Sequence, residues 1–165
     1  MLSIPTEETI SVEWFNACFA RAGLTGTVTG FDAERVGTGQ IGKCVRYTLR
    51  FSDQGELPAS VIGKFPSDDE NSRQTGVVLL NFLKEVRFYQ ELQHRIAIKT
   101  PRCYFAEIID QGPEFFLLLQ DLAPAQQGDQ LAGCSPQVAK AALAELVGLQ
   151  APAWCDETLH DLQWL

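Results

Sequence analysis

Residues 28–65 read VTGFDAERVGTGQIGKCVRYTLRFSDQGELPASVIGKF. Three runs rich in β-branched and aromatic residues, VTGFDAERV, KCVRYTLRF and ASVIGKF, are separated by the glycine string GTGQIG and the turn SDQGELP. Runs of this kind bounded by glycine and proline are strands, and three consecutive antiparallel strands are the simplest account of them. On the amino-terminal side, Ser11 is placed to cap a helix that carries Val12, Phe15, Cys18, Phe19 and Ala22 on one face, with Gly23 as a left-handed stop.

On the carboxy-terminal side, the polar stretch PSDDENSRQTG (Pro66 to Gly76) predicts a loop. The next sixteen residues, VVLLNFLKEVRFYQEL, repeat Leu79, Phe82, Leu83, Val86, Tyr89 and Leu92 at helical spacing and predict one helix. Beyond Pro101, CYFAEIID and EFFLLLQDL flank the turn QGP and add two strands, the second so uniformly apolar that it must be central and covered. The expected fold is therefore α+β: five antiparallel strands, an amino-terminal helix and one intervening helix. The connector APAQQGDQLAGC precedes a helix capped by Ser135, started by Pro136 and continued through Val138, Leu143, Leu146 and Val147, so a boundary is expected after residue 122. The tail from Ala151 carries Trp154, Leu159, Trp164 and Leu165, more apolar surface than it can bury by itself; it reads as interrupted and offers a surface for self-association.

Composition narrows the partners. At 165 residues the chain is long enough for one core, and 45% hydrophobic with 21% charged residues is the balance of a folded globular chain. A formal net charge of −8 argues against broad contact with a nucleic-acid backbone or an anionic membrane. Five cysteines without a C-x-x-C pair suggest reduced thiols in a cytoplasmic protein rather than a disulfide framework or zinc site. Neither a basic-then-apolar leader nor an apolar run long enough for a membrane span is evident.

The string Gly37, Thr38, Gly39, Gln40, Ile41 and Gly42 has G-x-G-x-x-G spacing, which two kinds of nucleotide site share. In the dinucleotide fold it opens a helix. Between two strands it is the loop that kinases lay over the phosphates of ATP, and an ordinary hairpin turn also accounts for it. Lys64 stands in the otherwise apolar strand SVIGKF, where a kinase places its phosphate-contacting lysine; the alternative is a solvated edge residue. Glu85 shares the helix face of Phe82 and Tyr89 and there requires a cation, which Lys64 supplies; the alternative turns it toward Lys84 or Arg87 at the surface. At the end of the last strand, Leu119, the carbonyl of Gln120 and the amide of Leu122 are candidates to line a pocket and meet an adenine edge, or form a plain core strand leaving the sheet.

These segments together resemble the aminoglycoside phosphotransferase and choline kinase-like superfamily, and most closely its ecdysteroid kinase-like branch. The resemblance runs over nearly the whole chain, through VGTGQIGKCVRYTLRF, SVIGKFPSDDENSRQTG, FLKEVRFYQEL, TPRCYFAEI, FFLLLQDLAPAQQGDQLAGCSPQ and ALAELVGLQAPAW. It implies a protein-kinase-like amino-terminal lobe (residues 1–122) that binds ATP, followed by a linker and the first helix of an incomplete second lobe (residues 123–165). It also implies transfer of the γ-phosphoryl group, with Mg2+, to a hydroxyl of a small molecule. By that resemblance the glycine string covers the phosphates, Lys64 contacts them and Glu85 orients Lys64. Where the family has leucine-histidine-alanine, this sequence has Leu149-Gln150-Ala151. The family's catalytic loop and acidic metal motif find no counterpart: neither His94 nor His160 is followed two positions later by the aspartate that the loop requires. The chain by itself is thus expected to show no kinase turnover.

Overall fold

The computed structural model describes residues 2–37, 39–129 and 131–165, so Thr38 of the glycine string lies outside the described residues. The Ser11 hydroxyl accepts a hydrogen bond from the Trp14 amide at 3.2 Å and opens α1 (Val12–Arg21), and Gly23 follows the helix at φ +75°. The strands are β1 (Thr27–Val36), β2 (Gly42–Asp53), β3 (Ser60–Pro66), β4 (Cys103–Ile108) and β5 (Phe115–Gln120). They form one five-stranded sheet in the order β1-β2-β3-β5-β4, every neighbouring pair antiparallel. The α+β expectation is met.

Burial explains the order. Side chains alternate across a strand, so a strand packed on both faces must be apolar throughout. In β5, Phe116 and Leu118 join Trp14, Phe15 and Phe19 of α1 in one core, while Phe115, Leu117 and Leu119 join Phe82 and Val86 in a second core on the opposite face. Trp14 meets Phe105 and Phe116 edge to face at 5.2 and 5.5 Å, an arrangement that adds to the burial of the rings themselves.

Two expectations between β3 and β4 are corrected. Residues 66–76 are not a loop: Asp69 caps α2 (Glu70–Val78) by accepting from the Ser72 amide at 2.7 Å. The helix is polar because only Gly76 is buried on it, and with so few apolar residues it shows no helical period in the sequence. Nor do residues 77–92 form one helix. Leu80 is left-handed, at φ 56° and ψ 25°, and starts α3 (Asn81–Arg87), after which Phe88–Leu92 widen into a π-helical turn and Gln93–Arg95 tighten into a 3₁₀ turn. The bend lets the Phe82 ring lie over the bare Cα of Gly76 and stack on Phe115, with ring centroids 4.7 Å apart. Leu79, expected inside, lies before the bend and is 54% exposed; Leu83 and Leu92 are only half-buried.

After β5 the described residues form no helix or strand before α4 (Pro136–Ala153), which Ser135 caps as expected and which takes in the first three residues of the tail. No residue of α4 is buried. It touches the segment after the 3₁₀ turn through the Ala97 amide, which donates to the Gly148 carbonyl at 2.8 Å, and through a Lys99–Glu145 pair at 2.8 Å. The tail returns to the same region, where Trp164 Nε1 donates to Glu91 at 2.7 Å and Arg95 pairs with Asp156 at 2.8 Å. Among the described residues no helix is long and apolar enough to cross a membrane.

Gly63 in the middle of β3 faces α1, where an added Cβ would come within 2.8 Å of the Tyr47 ring and 3.0 Å of the Phe116 ring. Both rings are fully buried and cannot move aside cheaply. Gly63→Ala is expected to destabilise the fold by about 1–3 kcal/mol, read as a lowered midpoint in urea denaturation.

Candidate functional site

The alternation that sends Val61, Gly63 and Phe65 toward α1 sends Ile62 and Lys64 to the other face of β3. There Lys64 stands opposite Cys44 of β2 and Leu117 of β5. α3 crosses this face with Phe82 and Val86 buried against β5, and their anchoring aims Glu85 back at the sheet. The Lys64 ammonium donates to Glu85 Oε1, as expected from the sequence. The pair is not fully buried, however: the two side chains are 25% and 34% exposed. Water therefore reaches the pair, and an ammonium with one of its three donors on Glu85 has two left for an anion.

Lys64 and Glu85 lie at the meeting of two hollows. A cleft of about 560 Å³ is bounded by Val36, Gly37 and Gly39 of the β1–β2 hairpin, by Cys44, Arg46 and Ile62 on the sheet, and by Leu119, Gln120 and Leu122 at the end of β5. Behind the hairpin a second hollow of about 470 Å³ is lined by Gly39, Gln40, Ile41 and Gly42 together with Lys64, Glu85 and Phe82. All ten of the candidate residues that are described line one or both of these hollows; Thr38 lies outside the described residues. The first volume is of the size that holds a nucleotide-sized ligand.

The hairpin itself requires its glycines. Gly37 has φ +76°, and a Cβ on Gly39 would overlap the carbonyl oxygen of Gly42. The string joins two paired antiparallel strands, with Val36 opposite Cys44, and opens no helix. The dinucleotide-fold reading, which needs a parallel sheet and a helix after the glycines, is thereby eliminated. At the other end of the cleft, the Gln120 amide is held by the Arg102 carbonyl at 2.8 Å and its side-chain oxygen accepts from the Arg102 amide at 3.2 Å. The Leu122 carbonyl accepts from the Ala125 amide at 2.9 Å, while its amide has no hydrogen-bond partner among the described residues.

A second ion pair in the cleft escaped the sequence reading, which took Lys64 as the only cation in an apolar strand of this region. Arg46 pairs with Ile62 in the β2–β3 register, so it shares the face of Lys64 one step along the sheet. Its Nε donates to Asp121 Oδ2 at 2.7 Å, and Asp121 also accepts from the Ser60 hydroxyl at 2.8 Å and the Ala123 amide at 3.0 Å. Period-two counting from Lys64 across to KCVRYTLRF would have found Arg46; nothing in the sequence marks Asp121 as its partner. Burial pushes the Asp121 carboxyl up, but the hydrogen bonds from Arg46, Ala123 and Ser60 and the guanidinium charge outweigh it and hold the group below the ordinary carboxylate value.

The thiols of the site are not poised as nucleophiles. Burial pushes Cys44 up despite the nearby Lys64, and burial pushes Cys103 up to about 12. Among the described residues no group of three or more His, Cys, Asp and Glu side chains is placed to hold a metal ion. The arrangement can thus receive an anion at Lys64 and an apolar group against the floor of Ile62 and Leu119. No family model matches the chain, and no curated protein matches it.

A carboxyl whose folded pKa is depressed contributes stability above its unfolded value, and that contribution disappears as pH falls through the folded value. Asp121→Asn, at a side chain only 5% exposed, is expected to cost about 1–3 kcal/mol at pH 7. The gap to wild type should narrow below about pH 4, where the unfolded carboxyl takes up its proton. Urea titrations of both chains at neutral and acid pH measure this, and an equal gap at both would rule out the charge as the cause.

Proposed function

We propose that this chain is the ATP-binding part of a kinase-like phosphotransferase, one that passes the γ-phosphoryl group of ATP to a hydroxyl of a small molecule. The observation that carries the reading is the Lys64–Glu85 pair beneath the glycine hairpin. A lysine on the third strand, oriented by a glutamate on the following helix, is how kinases hold a cation toward nucleotide phosphates. The five-stranded antiparallel sheet and α3 are compatible with a protein-kinase-like amino-terminal lobe, and the resemblance to the aminoglycoside phosphotransferase and choline kinase-like superfamily points the same way.

ATP suits the residues present. Its triphosphate suits the described glycines Gly37, Gly39 and Gly42 and the free donors of Lys64, and its adenine suits the floor of Ile62 and Leu119, with the Leu122 amide available to the base edge. Mg2+ finds no ligand set among the described residues, so transfer requires a base and metal ligands that these elements do not provide. With free cysteines throughout, a reducing cytoplasm is the compartment this reading assigns.

ATP at about a hundred times its dissociation constant would stabilise the fold by roughly 2.7 kcal/mol, which raises the melting temperature of a chain this size by roughly 5–10 °C. Lys64→Met keeps most of the side-chain volume while removing the charge, and is expected to abolish the shift with the nucleotide-free melting temperature little changed. The reading fails if ATP stabilises neither chain, or both equally.

A second reading, a non-catalytic docking module, is favoured by α4, where Val138, Leu143 and Val147 are each more than half exposed and Trp154 is 79% exposed. Apolar surface of this kind commonly marks an interaction site. Under that reading no nucleotide shifts the melting temperature and the sedimentation coefficient rises with protein concentration; a nucleotide shift with constant sedimentation excludes it.

A further inference from the structure

A third cavity is larger than both the cleft and the hollow behind the hairpin. It measures about 790 Å³, lies between the amino-terminal segment and the ends of β3, β4 and β5, and shares no lining residue with the cleft. The wall open to a ligand is largely apolar: Leu2, Ile4 and Ile108 are half-buried there and Ile109 is exposed. The amino-terminal wall is held in place rather than laid loosely on the sheet. Trp14 Nε1 donates to the Ser3 carbonyl at 2.9 Å, and Glu7 pairs with Lys43 at 2.6 Å.

The charges at the rim decide what the cavity can hold. Lys43 is neutralised within the protein, whereas Arg73 is hydrogen-bonded to carbonyls, keeps its charge and stands against three carboxylates without a close partner. Lys43 is 12% exposed and meets Glu7 and Asp68, each at 2.6 Å, while Arg73 donates to the Ser67 and Asp68 carbonyls at 2.9 and 2.7 Å. The carboxylates are less satisfied. Among the described residues Glu8 and Glu114 form no ion pair, and Glu107 has only Arg21 at 3.7 Å. An anionic ligand would meet uncompensated negative charge at the mouth, whereas a cationic one would neutralise it.

We propose that this cavity is a second ligand site, for a small molecule with an apolar body and a basic amine head, the body against Leu2, Ile4, Ile108 and Ile109 and the head at Glu107 and Glu114. Its size is that of cavities which enclose small ligands. It shares no lining residue with the cleft and only Phe115 with the hollow behind the hairpin, and its test needs no nucleotide, so it stands or falls separately.

The test is calorimetric titration of the purified chain with phenylbutylamine and with phenylbutyrate, which share a body and differ in the sign of the head. Saturable binding of the amine, roughly tenfold or more tighter than of the acid, is the expected result. Replacing both Glu107→Gln and Glu114→Gln should weaken the amine roughly three- to tenfold and leave the acid unchanged or improved. Ile109 lines the cavity from a position 50% exposed, so Ile109→Trp can fill the mouth without disturbing the core and should abolish amine binding. Equal affinity for the two compounds, no saturable heat with either, or amine binding that survives Ile109→Trp in a folded chain would each overturn the assignment.

Discussion

Strand β5 has to serve two cores at once. Six residues, Phe115 to Gln120, separate the aromatic cluster under α1 from the smaller cluster under α3, and the period of two along the strand assigns alternate side chains to each. This constraint places β5 between β3 and β4 rather than at an edge, because a strand without a polar face cannot border water. It also brings Lys64 opposite Leu117 and Ile62 opposite Leu119, so the cleft is assembled as a by-product of core packing. The floor of the candidate site and the interior of the protein are made of the same strands.

On that floor two ion pairs divide the labour. Lys64 and Glu85 join the sheet to a helix and remain open to water, which leaves the ammonium able to meet an anion. Arg46 and Asp121 join the sheet to the segment leaving β5, and there every carboxylate contact is made within the protein. A fully satisfied group holds shape, whereas a partly satisfied one is available for binding. The difference in accessibility between the two carboxylates, 34% and 5%, expresses that division.

The strands were legible because each is a run of β-branched and aromatic residues with turn residues at its ends, and the pairing of Lys64 with Glu85 was legible because a carboxylate on a helix face that packs inward needs a cation. The stretch from Pro66 to Gly76 was not. Its helix rests on a capping aspartate and a single buried glycine, and a polar helix leaves no apolar period in the sequence. The break at Leu80 was hidden for the opposite reason: residues on both sides are apolar, and helical spacing continues across a bend that only the backbone records. Arg46 was within reach of counting by twos, but its bond to Asp121 joins residues 75 positions apart and depends on a strand order that no local pattern announces. The cavity beside the amino-terminal segment depends in the same way on residues 2–8 meeting the ends of strands far along the chain, which happens only after folding.

The two partners at the centre of the cleft are carried by unequal supports. Lys64 belongs to a strand hydrogen-bonded on both sides, whereas Glu85 rides on a seven-residue helix entered through a left-handed leucine and left through a widened π turn. Backbone in such conformations holds its place only through what packs on it, here Phe82 and Val86. The strand fixes the lysine and the short helix sets the glutamate, so the grip between them is only as firm as the seating of those two anchors.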